Sequence, residues 1–138
     1  MIIHRISGQK RKTLIEFYEP FDAQTDTAKI ALPAMQEFLR RLMEIEGPEL
    51  YAFTSHYRLN FVASDSHTVP VIARVIPGCT PLADGSPSPL IHVIYPPNED
   101  VGRDDRSWPL KTAESVDDAI ALLFAAFRES AFSPYNPD

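Results

Sequence analysis

Apolar residues at helical spacing predict two helices. The later helix runs from Ser115 to Glu129, and its centre is apolar on nearly every side, which is typical of a helix buried inside a folded domain. Ser115 is a good N-cap, and acidic residues in the next turn favour the positive end of the helix dipole. The earlier helix stops at Gly47-Pro48. Its apolar face is formed by Met35, Phe38, Leu39, Leu42 and Met43.

The sequence leaves the beginning of the earlier helix open. Asp26 and Thr27 are good N-caps, but a helix that begins there contains Pro33. Proline lacks a backbone N–H and removes one helical hydrogen bond. The helix therefore begins near Leu32, or it begins at the caps and is kinked at Pro33.

Alternating and β-branched stretches predict five strands. Residues 2–7 and 13–18 form the first two, which a polar turn joins into an N-terminal hairpin. The third strand is the longest, because apolar and aromatic residues occupy most of the alternate positions from Tyr51 to Phe61. Shorter strands follow at residues 69–76 and 90–95.

Two long loops separate the later elements, and the whole order defines the fold class. One loop runs from Pro77 to Pro89 and the other from Pro96 to Trp108. The order β-β-α-β-β-β-α predicts an α+β domain with one mostly antiparallel sheet packed by two helices. A length of 138 residues suits one compact domain over residues 1–138, and 44% hydrophobic residues are typical of a globular protein.

The charge is uneven along the chain, and this bears on the class of partner. The net charge is -6, yet the first twelve residues carry four basic side chains and no acidic one. The remainder therefore carries -10, which is the difference between -6 and +4. Such an acidic body repels phosphate backbones, so it argues against nucleic acid and favours a protein partner with a basic surface.

Cysteine content and hydropathy indicate a cytoplasmic protein. Cys79 is the single cysteine, so the chain has no internal disulfide framework, and a reducing compartment is favoured. No apolar run resembles a signal peptide or approaches the roughly 20 residues that cross a bilayer. We therefore expect no membrane association.

Residue types that carry catalysis do not cluster in this sequence. The four histidines show no zinc-binding spacing, and Cys79 has no second cysteine beside it. Ser55 and His56 are neighbours in the predicted strand and point to opposite faces, so they do not form a dyad. The sequence gives no grounds to assign a catalytic residue, a metal site or a cofactor.

One charged loop departs from the ordinary composition, and three interpretations of it stay open. It is a calcium loop, a solvated loop with local Asp–Arg pairs whose end Trp108 pins into the core, or a protein-binding edge. A second candidate surface is the row formed by His56, Arg58 and Asn60, unless that row is only the solvent face of a sheet. The candidate binding residues of the loop are Glu99, Asp100, Arg103, Asp104, Asp105, Arg106 and Trp108.

The favoured hypothesis is a small acidic protein that inhibits or neutralises a partner protein by occlusion. Immunity proteins of bacterial toxin systems and phage-encoded inhibitors are similar in size, charge and lack of motifs, but no diagnostic motif is shared. The charged loop, with Asp84 of the neighbouring loop, would enter a basic cleft of the partner. Reversing the charge of Asp104 and Asp105 together is then expected to abolish binding and leave folding intact.

Two other functional hypotheses stay open. One is a small enzyme or ligand-binding domain that uses His56 or His92 in a pocket between the sheet and the helices. The other is a secretion chaperone, a class of small acidic α+β homodimers. The sequence is compatible with a monomer and with a homodimer.

Overall fold

The computed structural model describes residues 1–9, 12–20, 25–101 and 104–135. Within these ranges the chain forms one six-stranded sheet and three α-helices, so the predicted α+β class is confirmed. The strands are β1 (Ile3–Arg5), β2 (Leu50–Ser55), β3 (Arg58–Val62), β4 (Ala73–Pro81), β5 (Pro87–Ile94) and β6 (Leu110–Ala113). The helices are α1 (Leu14–Phe17), α2 (Asp26–Glu44) and α3 (Val116–Glu129), with short 3-10 turns at Ser7–Gln9, Glu99–Val101 and Asp105–Ser107.

The strands lie side by side in chain order. β1 pairs with β2 in parallel, and every later pair is antiparallel. Helices α2 and α3 pack against one face of this sheet, which we call the helix-covered face. Its strand residues belong to the same buried cluster as the apolar sides of α2 and α3, and they are Leu50, Ala52, Leu59, Phe61, Ala73, Val75, Ile91, Val93 and Ala113.

Helix α2 takes the longer of the two predicted forms, but its N-cap lies one residue before the predicted Asp26 and two before Thr27. Thr25 is the N-cap, and its side chain accepts a hydrogen bond from the backbone N–H of Ala28 at 3.1 Å. Pro33 lies inside the helix on its exposed side, so the missing hydrogen bond does not disturb the packed side. The α3 prediction is confirmed, because the Ser115 hydroxyl accepts from the Asp118 N–H at 3.1 Å and the helix continues to Glu129.

The predicted N-terminal hairpin is wrong. Only Ile3–Arg5 forms a strand, and the second predicted strand is replaced by the single helical turn α1. Thr13 and Glu16 form a capping box, in which each side chain accepts a hydrogen bond from the backbone N–H of the other residue. This local helix start overrides the β-branched character of the segment.

The predicted long strand from Tyr51 to Phe61 is a hairpin, β2 and β3. Its two-residue turn is His56-Tyr57, and His56 has a φ of +56°, which only a small minority of non-glycine residues adopt. Because Ser55 pairs with Arg58, even positions of β2 share a face with odd positions of β3. The alternation that predicted one strand therefore assigned the β2 side chains to the wrong face.

The proline-rich loop predicted from Pro77 to Pro89 is largely a second hairpin. β4 and β5 extend through it and turn at Leu82–Ser86, where Gly85 adopts a φ of +84°. In this distal half, β4 and β5 pair only with each other among the described strands. Prolines are tolerated there, because a missing N–H does not interrupt a second ladder.

Strand β6 was not predicted from the sequence. β6 pairs with β5 and follows the charged loop directly. With β6 and α1 included, the chain order is β-α-α-β-β-β-β-β-α rather than β-β-α-β-β-β-α. Among the described residues, no helix combines the length and the apolar character that a membrane-spanning helix needs.

Candidate functional site

Loop segments, rather than helices, cover the second face of the sheet near β3 and β4. We call it the loop-covered face. Arg74 of β4 pairs in register with Asn60 of β3, and both alternate with strand residues that face α2 and α3. Trp108, at the end of the charged loop, is 5% exposed, and the Arg74 guanidinium carbon lies 5.1 Å from its ring centroid. The end of the loop, around Trp108, therefore lies against the sheet here.

A shared carboxylate holds this loop to the sheet. Asp105 Oδ2 accepts from Arg58 Nη1 at 3.0 Å and from Arg74 Nη1 at 2.7 Å. Arg74 Nε donates to Asn60 Oδ1, and Asn60 Nδ2 donates to the Phe53 carbonyl at 3.3 Å. The Arg74 and Asp105 side chains are only 14% and 15% exposed. The loop is thus anchored by partly buried, charge-assisted hydrogen bonds.

The neighbouring acid, Asp104, behaves differently from Asp105. Its side chain stays in solvent and forms a local pair with Arg106, whose Nη2 lies 2.7 Å from Asp104 Oδ2. The hydrogen bonds that Arg106 donates hold the pKa of Asp104 below its usual value. Local pairing of this kind and pinning by Trp108 both agree with the solvated-loop interpretation of the sequence.

The other acids of the loop are also exposed. Glu99 and Asp100 lie in the 3-10 turn Glu99–Val101, which the Asn98 side chain caps by accepting from the Asp100 N–H at 3.0 Å. Neither acid has an ion pair within the part of the chain that the structure describes. Arg103 lies outside the described residues. Three acids of the loop are therefore exposed, whereas Asp105 is bonded to the sheet.

The predicted row of His56, Arg58 and Asn60 does not form an exposed strip. His56 lies in the hairpin turn and Asn60 is 1% exposed, because the charged loop covers it. Arg58 keeps a half-exposed side chain that is bonded to Asp105. The sequence contained no signal for this cover, since it depends on where a loop some forty residues later returns to the sheet.

Asp84 lies apart from the Asp105 network. It occupies the turn at the distal end of β4, whereas Arg74 is near the start of β4. Pro81 lies seven positions after Arg74 along β4, which corresponds to about 23 Å at the usual rise. Asp84 accepts from the Ser86 N–H and hydroxyl at 3.0 and 2.6 Å, and these hydrogen bonds lower its pKa.

The two candidate histidines do not meet. In the sheet, β3 and β4 lie between the hairpin turn of His56 and the strand of His92. His92 pairs in register with Ile76, so it lies on the loop-covered face rather than in a pocket under the helices. Its Nδ1 is 2.9 Å from the Thr112 hydroxyl, and burial lowers its pKa.

A cavity of about 250 Å³ lies beside Trp108 on the loop-covered face. The sequence did not predict it, because its walls come from separate parts of the chain and each is unremarkable alone. The lining residues are Phe53, His67, Val69, Pro70, Val71, Arg74, Trp108 and Phe132. The cavity combines apolar walls with the Arg74 guanidinium and the His67 imidazole, and apolar walls with a few polar groups are the usual composition of a small-ligand pocket.

Neither a metal-binding cluster among the described residues nor a similar known protein indicates what this site does. The described residues contain no group of three or more histidine, cysteine, aspartate or glutamate side chains that could hold a metal ion. Comparison of the chain with protein-family models, with curated proteins and with solved structures gives no match.

Proposed function

We propose that the protein is a small cytoplasmic binding protein that inhibits or neutralises a protein partner by occlusion, as immunity proteins and phage-encoded inhibitors do. The observation that carries this proposal is the anchored charged loop. Glu99 and Asp100 are exposed in a 3-10 turn, and Asp104 is exposed beside Asp105, which attaches its own end of the loop to the sheet together with Trp108. An attached residue such as Asp104 loses less conformational entropy when it binds.

The distribution of charge supports a basic partner. Outside the first twelve residues the chain carries -10, so its field attracts a cationic surface and accelerates encounter with it. The same charge disfavours nucleic acid. The single cysteine supports the cytoplasmic location.

The residues of the loop have separate roles in this proposal. Glu99, Asp100 and Asp104 contact the partner. Arg106 forms an ion pair with Asp104 and lowers the pKa of its carboxyl group. Asp105 is a positioning residue, because its carboxylate is already bonded to two guanidinium groups. The double change of Asp104 and Asp105 to lysine therefore damages the anchor as well as the surface, and it does not separate binding from folding.

A cleaner test reverses only exposed acids. Glu99→Lys with Asp100→Lys changes the loop surface, and Glu37→Lys with Glu114→Lys makes the same change of charge on α2 and before α3, both away from the loop. Each protein is immobilised and used to capture partners from the source cells at low and moderate salt. The captured partner is then purified, and its affinity for each variant is measured.

The proposal predicts one stoichiometric partner with a basic surface. Its complex weakens as salt rises, is lost in the loop variant and is retained in the matched control. Equal affinity of the purified partner for all three proteins would remove the loop from the interface. Loss in both variants would show that only overall charge matters, which would also contradict a specific loop contact.

A further inference from the structure

We propose that the cavity beside Trp108 is a binding site for a small aromatic monocarboxylate. The ring of the ligand would fill the apolar part, and its carboxylate would face Arg74. The cavity is lined by Trp108 at the end of the charged loop and by residues outside the loop, and none of the exposed acids Glu99, Asp100 and Asp104 lines it. The ligand and the protein partner proposed above are therefore tested separately.

The size and walls of the cavity indicate the apolar part of the ligand. Its volume is about 250 Å³, whereas an apolar cavity of about 150 Å³ already binds benzene in another protein. Three aromatic rings, from Phe53, Trp108 and Phe132, line it together with the aliphatic segment from Val69 to Val71. One aromatic ring with a short side arm fits this volume and packs against these walls.

The charges around Arg74 indicate the polar part of the ligand. Two guanidinium groups share the single carboxylate of Asp105, so the cluster carries a surplus of one positive charge. Arg58 is half exposed and well hydrated, but the Arg74 side chain is 14% exposed. Water reaches Arg74 poorly and therefore solvates its charge less than that of Arg58. A ligand carboxylate in the cavity would balance the surplus positive charge beside Arg74.

One buried donor on a residue of the cavity wall lacks a partner. Within the part of the chain that the structure describes, the Trp108 indole nitrogen Nε1 is buried and donates no hydrogen bond. Buried donors are nearly always satisfied, and Trp108 lines the same cavity as Arg74, whose Nε and Nη1 donate to Asn60 and Asp105. A ligand with acceptor oxygens accounts for the unpaired indole.

Trp108 is the only tryptophan, so its fluorescence reports directly on the cavity. The protein is titrated with 3-phenylpropanoate and, separately, with 3-phenylpropanamide, which has the same shape without the charge. We expect a saturable change of emission with the acid and roughly tenfold weaker binding of the amide, because a charge-assisted hydrogen bond is lost. No saturable change at millimolar acid, or equal affinities for acid and amide, would overturn the proposal.

Three variants test whether the ligand binds in the cavity beside Trp108. Arg58→Gln removes the surplus charge without touching the lining, so affinity for the acid falls several-fold and affinity for the amide is unchanged. Arg106→Gln makes the same charge change on the exposed side of the loop and leaves both affinities unchanged. Phe132→Ala removes one wall and weakens both ligands. An equal effect of Arg58→Gln and Arg106→Gln, or full binding by Phe132→Ala, would contradict this site.

Discussion

The two faces of the sheet are covered in different ways. On the helix-covered face, Phe61 and Val75 are fully buried among apolar side chains of α2 and α3. On the loop-covered face, the strand neighbours Asn60 and Arg74 hold a charged loop through polar atoms. Alternate residues of the same strands thus serve two kinds of packing. The first depends on apolar area, and the second depends on a few charge-assisted contacts.

This difference is the reason why we propose that the protein binds its partner through the loop-covered face. Apolar burial is spread over many residues and contributes most of the stability of a domain. In the described part of the loop, the Asp105 carboxylate and the Trp108 indole contact the sheet and the Pro96 carbonyl accepts from the Ala131 N–H, so few contacts hold it. Such a segment costs less to open locally, and it carries exposed acids beside a cavity. Four predictions test the comparison, from the largest expected effect to the smallest.

The largest effect is expected for Phe61→Ala, which removes a buried ring from the helix-covered face. Phe61 is fully buried, and its ring packs edge-on against Phe127 with centroids 5.9 Å apart. We expect the free energy of unfolding to fall by about 3–5 kcal/mol, because the change leaves a cavity in the core. Urea unfolding followed by circular dichroism measures it. A loss no greater than that of an exposed substitution would show that this face does not carry the core.

Asp105→Ala breaks the loop-covered face. Arg74 loses its carboxylate partner in a partly buried position, so we expect a loss of about 1–3 kcal/mol. The loop is expected to loosen, and Trp108 emission then shifts to the red while the helical circular dichroism is unchanged. Unaltered Trp108 emission would mean that Asp105 does not hold the loop.

The third prediction concerns how the free energy of unfolding depends on pH through His92, which lies on the loop-covered face. Burial lowers its pKa from the ordinary 6.5, so the folded state binds this proton less readily than the unfolded state. The stability that neutral His92 contributes is present above pH 6.5 and is lost as the pH falls through the folded pKa. Unfolding free energy measured against pH is expected to depend less on pH in His92→Asn. An NMR titration midpoint at or above 6.5 would contradict this.

Asp104→Ala is the matched control for Asp105→Ala and has the smallest expected effect. Asp104 is adjacent in sequence, but it is exposed, and among the described residues its ion pair is with Arg106. Its removal is expected to change the unfolding free energy by less than about 0.5 kcal/mol, because exposed ion pairs contribute little. The same urea and fluorescence measurements apply. A loss as large as that of Asp105→Ala would remove the distinction between the two acids.

Features that depend on local sequence were predictable. The α3 helix was predicted correctly because its cap and its apolar run are adjacent in the chain. The turn at His56 was missed, because no glycine or asparagine signals its positive φ. The hairpin through the prolines was missed because its edge position, which makes proline acceptable, is a property of the whole sheet.

The candidate site was only partly predictable for the same reason. Composition drew attention to the charged loop and to Trp108, and in the structure Asp105 of this loop is bonded to Arg74 and Trp108 lines the cavity. Sequence alone does not distinguish Asp104 from Asp105, since a turn of the backbone decides which carboxylate meets Arg74. The cavity was not predictable, because Phe53 and Phe132 become neighbours only through the tertiary fold.

The most direct measurement is an amide chemical-shift map of the isotope-labelled protein, free and bound to the purified partner from the capture experiment. The central claim is that the helix-covered face carries stability and the loop-covered face carries recognition. It predicts that the shifted amides cluster in residues 98–101 and 104–108 and the strands beneath them. Shifts centred on the outer surfaces of α2 and α3, with the charged loop unchanged, would contradict it.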